Sequence, residues 1–157
     1  MKLVKQDEKS LTFLVGKRER DVLVALLLRY PVLATTHFFD RKPPQSRETA
    51  QDDALLQEAL AEQQKASRKL LEEWLKQEGR FLETDLGYTF TLSTTEVEWM
   101  LQVLNDVRVG TWVQLGEPNG KTPPAIELTE ESMHRVWALE MAGLFQHRLL
   151  EALHARE

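Results

Sequence analysis

Asn105, Asp106 and Arg108 stand where a helix would otherwise be apolar, in the run Trp99-Met100-Leu101-Gln102-Val103-Leu104-Asn105-Asp106-Val107-Arg108-Val109. At 100° per residue, Asp106 projects between Trp99 and Val113, and Arg108 between Leu104 and Trp112. Charges so placed are expected half-buried. An unpaired buried charge costs several kcal/mol, so each should find a partner on the final helix or in the arginine-bearing loop near Arg41. Two residues apart, Asp106 and Arg108 do not face one another on a helix. The cluster is therefore either an ion-pair network that fixes helix register or a polar site that binds a ligand.

Other residue patterns yield no chemistry. Glu131-Ser-Met-His134 and Glu151-Ala-Leu-His154 match the Glu-x-x-His of di-iron bundles, but they lie on one helix, twenty residues or about 30 Å apart, and cannot share a metal pair. His147, Glu151 and His154 form one stripe with Glu140, which a solvated terminal turn explains, so no metal site is assigned. The chain has no cysteine, which removes thiolate metal sites, disulfides and cysteine nucleophiles. It has no glycine-rich phosphate loop and no Gly-x-Ser-x-Gly elbow. The reading leans against an enzyme and assigns no catalytic residue and no cofactor.

The elements that position these residues are legible from periodicity and breakers. Leu3–Lys5 and Leu11–Val15 read as a hairpin, and Gly16 opens a helix to about Arg29 with core face Val22, Leu23, Leu26, Leu27 and Tyr30, ended by Pro31. This helix is nearly apolar all round and should be central. Phe81–Glu83 and Tyr88–Leu92 form a second hairpin signal. The capping box Ser93-Thr94-Thr95-Glu96 then starts a helix that Gly116 stops. At an offset of 77 residues Thr12-Phe13 falls on Thr89-Phe90, Glu19 on Glu96, and Leu23, Leu26, Leu27 on Met100, Val103, Leu104. Two such units can join their hairpins in one small sheet. Between them, a polar helix from about Ala50 to Glu78 carries the stripe Leu56, Leu60, Leu70 and Trp74, with Gln63 and Ser67 intervening, so contact is expected at both ends and looser between. A last helix, about Glu130 to Ala155, runs on Met133, Trp137, Met141, Leu144 and Phe145. The expected fold is one α+β domain over residues 1–157, predominantly α, with about four helices and a small antiparallel sheet from two hairpin-helix units.

The run around Leu104-Asn105-Asp106-Val107-Arg108, with Leu115-Gly116 and a closing Trp-bearing helix, resembles the C-terminal half of an uncharacterised bacterial family of unknown function. That family has a Leu-Asn-Asp-x-Arg helix motif and is often encoded beside the adaptor of the Clp protease. The resemblance covers roughly Leu92 to Leu153. Gln114 stands where the family has a second arginine. It implies a mostly helical cytoplasmic protein and supplies no catalytic residue.

Composition bounds the partners. The net charge of −5 divides into ten Lys/Arg against five Asp/Glu over residues 1–47, and ten against twenty over residues 48–157. The basic third, with Phe38, Phe39 and Arg41 in a proline-flanked loop, supports an alternative nucleic-acid-binding or regulatory reading. A pI near 5.5 and the lack of a basic reading helix weigh against it. The longest apolar run, Val22–Leu28, is far short of the roughly 20 residues a membrane span needs. No signal-like segment opens the chain, so the cytoplasm is the expected compartment. Core packing accounts for Trp99, Trp112 and Trp137, whereas Trp74 and Phe38-Phe39 are candidates for exposed contact surface. The favoured function is a non-enzymatic accessory or adaptor-like protein that binds a protein partner. Its binding residues are taken from Asn105, Asp106, Arg108, Phe38, Phe39 and Arg41, and a homo-oligomer contact is assigned to the helix from Leu56 to Trp74.

Overall fold

A computed structural model of the chain describes residues 1–34, 47–116 and 129–155. Phe38, Phe39 and Arg41 lie outside the described residues. The elements run β1 (Lys2–Gln6), β2 (Ser10–Val15), α1 (Lys17–Leu27), α2 (Arg47–Lys76), β3 (Leu82–Thr84), β4 (Gly87–Ser93), α3 (Thr94–Gln114) and α4 (Glu130–His154). The fold is α+β and predominantly helical, with a four-stranded antiparallel sheet in the order β1-β2-β4-β3. Among the described residues no helix is long and apolar enough to cross a membrane.

The two hairpins join through their second strands. In the β2/β4 pair Phe13 lies opposite Phe90, the residue 77 positions later, with Leu11 opposite Leu92 and Val15 opposite Tyr88. The two phenyl rings stack at 5.6 Å. Of the β2/β4 pairs this one alone joins residues related by the repeat, so an approximate two-fold axis passes through the Phe13–Phe90 pair. Alternation places Leu11, Phe13, Val15, Phe90 and Leu92 on the buried face, while the hydroxyls of Thr12 and Thr91 meet at 2.9 Å on the other. Gly87 is needed at the second turn, because a Cβ there would fall 2.4 Å from the carbonyl oxygen of Val15.

Each hairpin feeds a helix started in the same way. The Glu19 carboxylate accepts the amide of Gly16 at 3.0 Å, and that of Glu96 accepts the amide of Ser93 at 2.7 Å; in the second unit the Ser93 hydroxyl also accepts the amide of Glu96. The repeat-related sets Leu23, Leu26, Leu27 and Met100, Val103, Leu104 are all buried. The helix α1 packs on α3, α4 and β4, yet Leu28 is half-exposed, so its apolar circumference is not wholly enclosed.

Two helix faces differ from those expected. On α4 the buried residues are Ala138, Ala142, Phe145, Gln146, Leu149 and Ala152, whereas Met133, Trp137 and Leu144 are exposed. Small side chains let α4 lie close against α3, the most extensive helix pair, so the larger residues turn outward. On α2 the inward stripe is Gln57, Leu60, Gln64, Ser67, Leu71 and Trp74; Leu60, Ser67 and Trp74 lie on it as expected, whereas Gln57, Gln64 and Leu71 take the places expected of Leu56, Gln63 and Leu70, and Leu56 and Leu70 are exposed. Only the C-terminal end of α2 reaches the core, where Trp74 meets Phe81, Phe90 and Trp99 edge-on or tilted at 5.8 to 6.5 Å. The two tryptophans therefore exchange the roles expected of them: Trp74 is core and Trp137 surface.

Candidate functional site

The helix α3 separates two clefts, and its polar triplet is divided between them. Asp106 turns toward α2 and the segment after α1. Arg108 turns toward α4. Asn105 is exposed and borders both clefts. The three residues are adjacent in sequence but do not form one site.

On the α4 side, Arg108 donates to Gln146 Oε1 at 2.8 Å, and Gln146 Nε2 donates to the carbonyl of Leu101 at 3.2 Å. Its guanidinium lies across Gly143. Gln146 is almost fully buried, so this chain of bonds satisfies an amide the core would otherwise strand. Arg108 is exposed, not half-buried, and its partner is on the final helix. This half of the triplet is structural.

On the other side, Asp106 is half-buried. Its Oδ1 accepts the amide of Val32 at 3.2 Å, and among the described residues no cation lies within 4.0 Å. Burial pushes its pKa above the ordinary aspartate value, against the lowering effect of the Val32 amide. Val32 is held near α3 by the absence of a side chain at Gly110, where a Cβ would come within 2.5 Å of it.

Asp106 opens on a cleft of about 460 Å³ between α2 and α3. Its walls are apolar at Leu33, Leu60, Val103 and Val109, and polar at Tyr30, Gln63, Gln64, Ser67, Gln102 and Asn105. The polar residues of α2 hold the opposite wall in place. Gln64 Nε2 donates to the carbonyl of Leu33 at 3.2 Å, Arg68 donates to that of Tyr30 at 2.7 Å, and Ser67 bonds the Tyr30 hydroxyl. Burial raises the Tyr30 pKa, and the Asp106 charge adds to the rise. A cleft of this size lined by amides and hydroxyls around a half-buried carboxylate is complementary to a group that brings positive charge and several donors.

The sequence pointed to Asp106 and Asn105 but not to the opposite wall. Tyr30 reads as core from its place in the α1 stripe, and Gln64 and Ser67 read as a thinning of the α2 seam. Their signal was the persistence of hydrogen-bonding residues at helical spacing, 64, 67 and 68, on a face that still has to meet the body. Of the histidine stripe, His147 pairs with Glu151 at 3.3 Å and His154 Nδ1 contacts the carbonyl of Leu150 at 2.8 Å. Among the described residues no group of three or more is arranged to hold a metal ion. Comparison with protein-family models, curated proteins and solved structures finds no match.

Proposed function

We propose that this chain is a non-enzymatic, adaptor-like protein of the cytoplasm that acts by binding a protein partner, and that the Asp106 cleft receives a basic side chain of that partner. The observation that supports this reading is the half-buried Asp106 carboxylate, which faces a cleft and, among the described residues, has no cation within 4.0 Å. An arginine or lysine entering the cleft would supply the missing charge, while Gln63, Gln64, Gln102 and Asn105 offer carbonyl oxygens to its N–H groups and Leu60 and Val109 accept its aliphatic stem. The link to regulated proteolysis rests on the resemblance of the Leu104–Arg108 motif alone. The same reading includes self-association through α2.

The test uses blocked tripeptides Gly-Arg-Gly and Gly-Lys-Gly, with Gly-norleucine-Gly as the uncharged control, added to isotope-labelled protein. The cationic peptides should shift the Val32 and Asp106 amide resonances, the control should not, and Asp106→Asn should abolish the difference. Equal shifts from charged and uncharged peptides would remove Asp106 from recognition.

A further inference from the structure

We propose that a second copy of this chain covers α2, antiparallel to the first and centred on Gln63. The proposal deepens the self-association reading; it shares Gln63 with the rim of the Asp106 cleft and does not use Asp106. It starts from the length of α2, 30 residues or about 45 Å, of which only the C-terminal end is buried against the core. Beside the face turned to the body runs a second stripe, Leu56, Ala59, Gln63, Ala66 and Leu70, spaced alternately by three and four residues as a two-helix seam requires. Leu55, Leu56 and Leu70 are 60%, 53% and 54% exposed. Helix formation alone does not stabilise such an apolar face in water.

The direction of pairing follows from charge. Thr49–Gln63 carries four carboxylates, Asp52, Asp53, Glu58 and Glu62, and no Lys or Arg. Gln64–Lys76 carries four cations, Lys65, Arg68, Lys69 and Lys76, against Glu72 and Glu73. Parallel pairing would set carboxylates against carboxylates, whereas antiparallel pairing sets each acidic half against a basic one. Leu56 and Leu70 lie seven positions on either side of Gln63, so a two-fold axis there brings Leu56 to Leu70 of the second copy and Glu62 to its Lys65 and Lys69.

A groove lies at the place this register needs one. Beside Leu70 is a depression of about 580 Å³ walled by Trp74 and Trp99 and edged by Glu73, Lys76, Arg80 and Glu96, with Arg80 paired to Glu96 at 3.3 Å. The register delivers Leu55 and Leu56 of the second copy to it, apolar side chains to the indoles.

The absence of native cysteine makes the test clean. Sedimentation equilibrium should give twice the 18.2 kDa chain mass. Under mild oxidation Gln63→Cys should form a disulfide-linked dimer, and Leu56→Cys mixed with Leu70→Cys should cross-link to each other, while each of those two alone should not. Lys65→Glu/Lys69→Glu should weaken association about tenfold or more, with Glu58→Lys/Glu62→Lys restoring it in a mixture of the two variants. A monomer at all concentrations would overturn the proposal together with self-association. Self-cross-linking of Leu56→Cys and of Leu70→Cys would overturn the antiparallel geometry and leave self-association standing.

Discussion

The two charged residues of α3 end in opposite circumstances. Arg108 reaches Gln146 and Gln146 reaches Leu101, so every step is a satisfied hydrogen bond, whereas Asp106 has no cation within 4.0 Å among the described residues. The Arg108 side faces a helix that packs closely through alanines. The Asp106 side faces α2, which stands off and is attached to the body by Gln64, Ser67 and Arg68 as much as by apolar contact. The closely packed face brings Arg108 to a bonded partner; the standing-off helix leaves space, and Asp106 opens on that space.

The contrast can be broken at its foundation first. Phe90→Ala removes the ring that meets Phe13, Trp74 and Phe81, and should lower unfolding free energy by about 3–5 kcal/mol in denaturant titration. A loss below about 1 kcal/mol would mean that the sheet centre does not carry the core. Gly110→Ala drives a methyl into Val32 and should destabilise by about 1–3 kcal/mol while moving the Val32 amide away from Asp106, visible as a shift of that amide resonance. On the satisfied side, Arg108→Ala should lower stability by about 1 kcal/mol, since it removes the donor to the buried Gln146 side-chain carbonyl. Leu56→Ser, on the exposed seam, should stay within about 0.5 kcal/mol of wild type for the isolated chain and act only on association.

The repeated units were legible because they obey local rules that the tertiary structure reinforces. The alternation around Phe13 and Phe90 fixes the inner face of the sheet, and the capping residues Glu19 and Glu96 fix where each helix starts. The face of α4 was not legible. Hydrophobicity favours Met133, Trp137 and Leu144 for the interior, yet proximity to α3 selects for volume and admits Ala138 and Ala142. On α2 too few apolar residues exist to set the register, so a shift from Leu70 to Leu71 separates the expected stripe from the actual one. The candidate site was half legible: a charge interrupting an apolar helix marks Asp106 on its own, but Tyr30, Gln64 and Ser67 become wall residues only when α2 is laid across α3.

Thermal unfolding of wild type and Asp106→Asn as a function of pH tests the central claim most directly. A carboxyl whose folded pKa is raised adds stability when protonated, at pH below its unfolded value, and loses that contribution as pH rises through the folded pKa. At neutral pH the ionised Asp106 therefore destabilises the free protein. The asparagine variant, which keeps an acceptor for the Val32 amide, should unfold at a higher temperature than wild type at pH 7, with the difference vanishing or reversing in acid. A midpoint at pH 7 that falls on replacement would show that the carboxylate is already compensated within the fold, and would contradict its assignment as the group awaiting a basic partner.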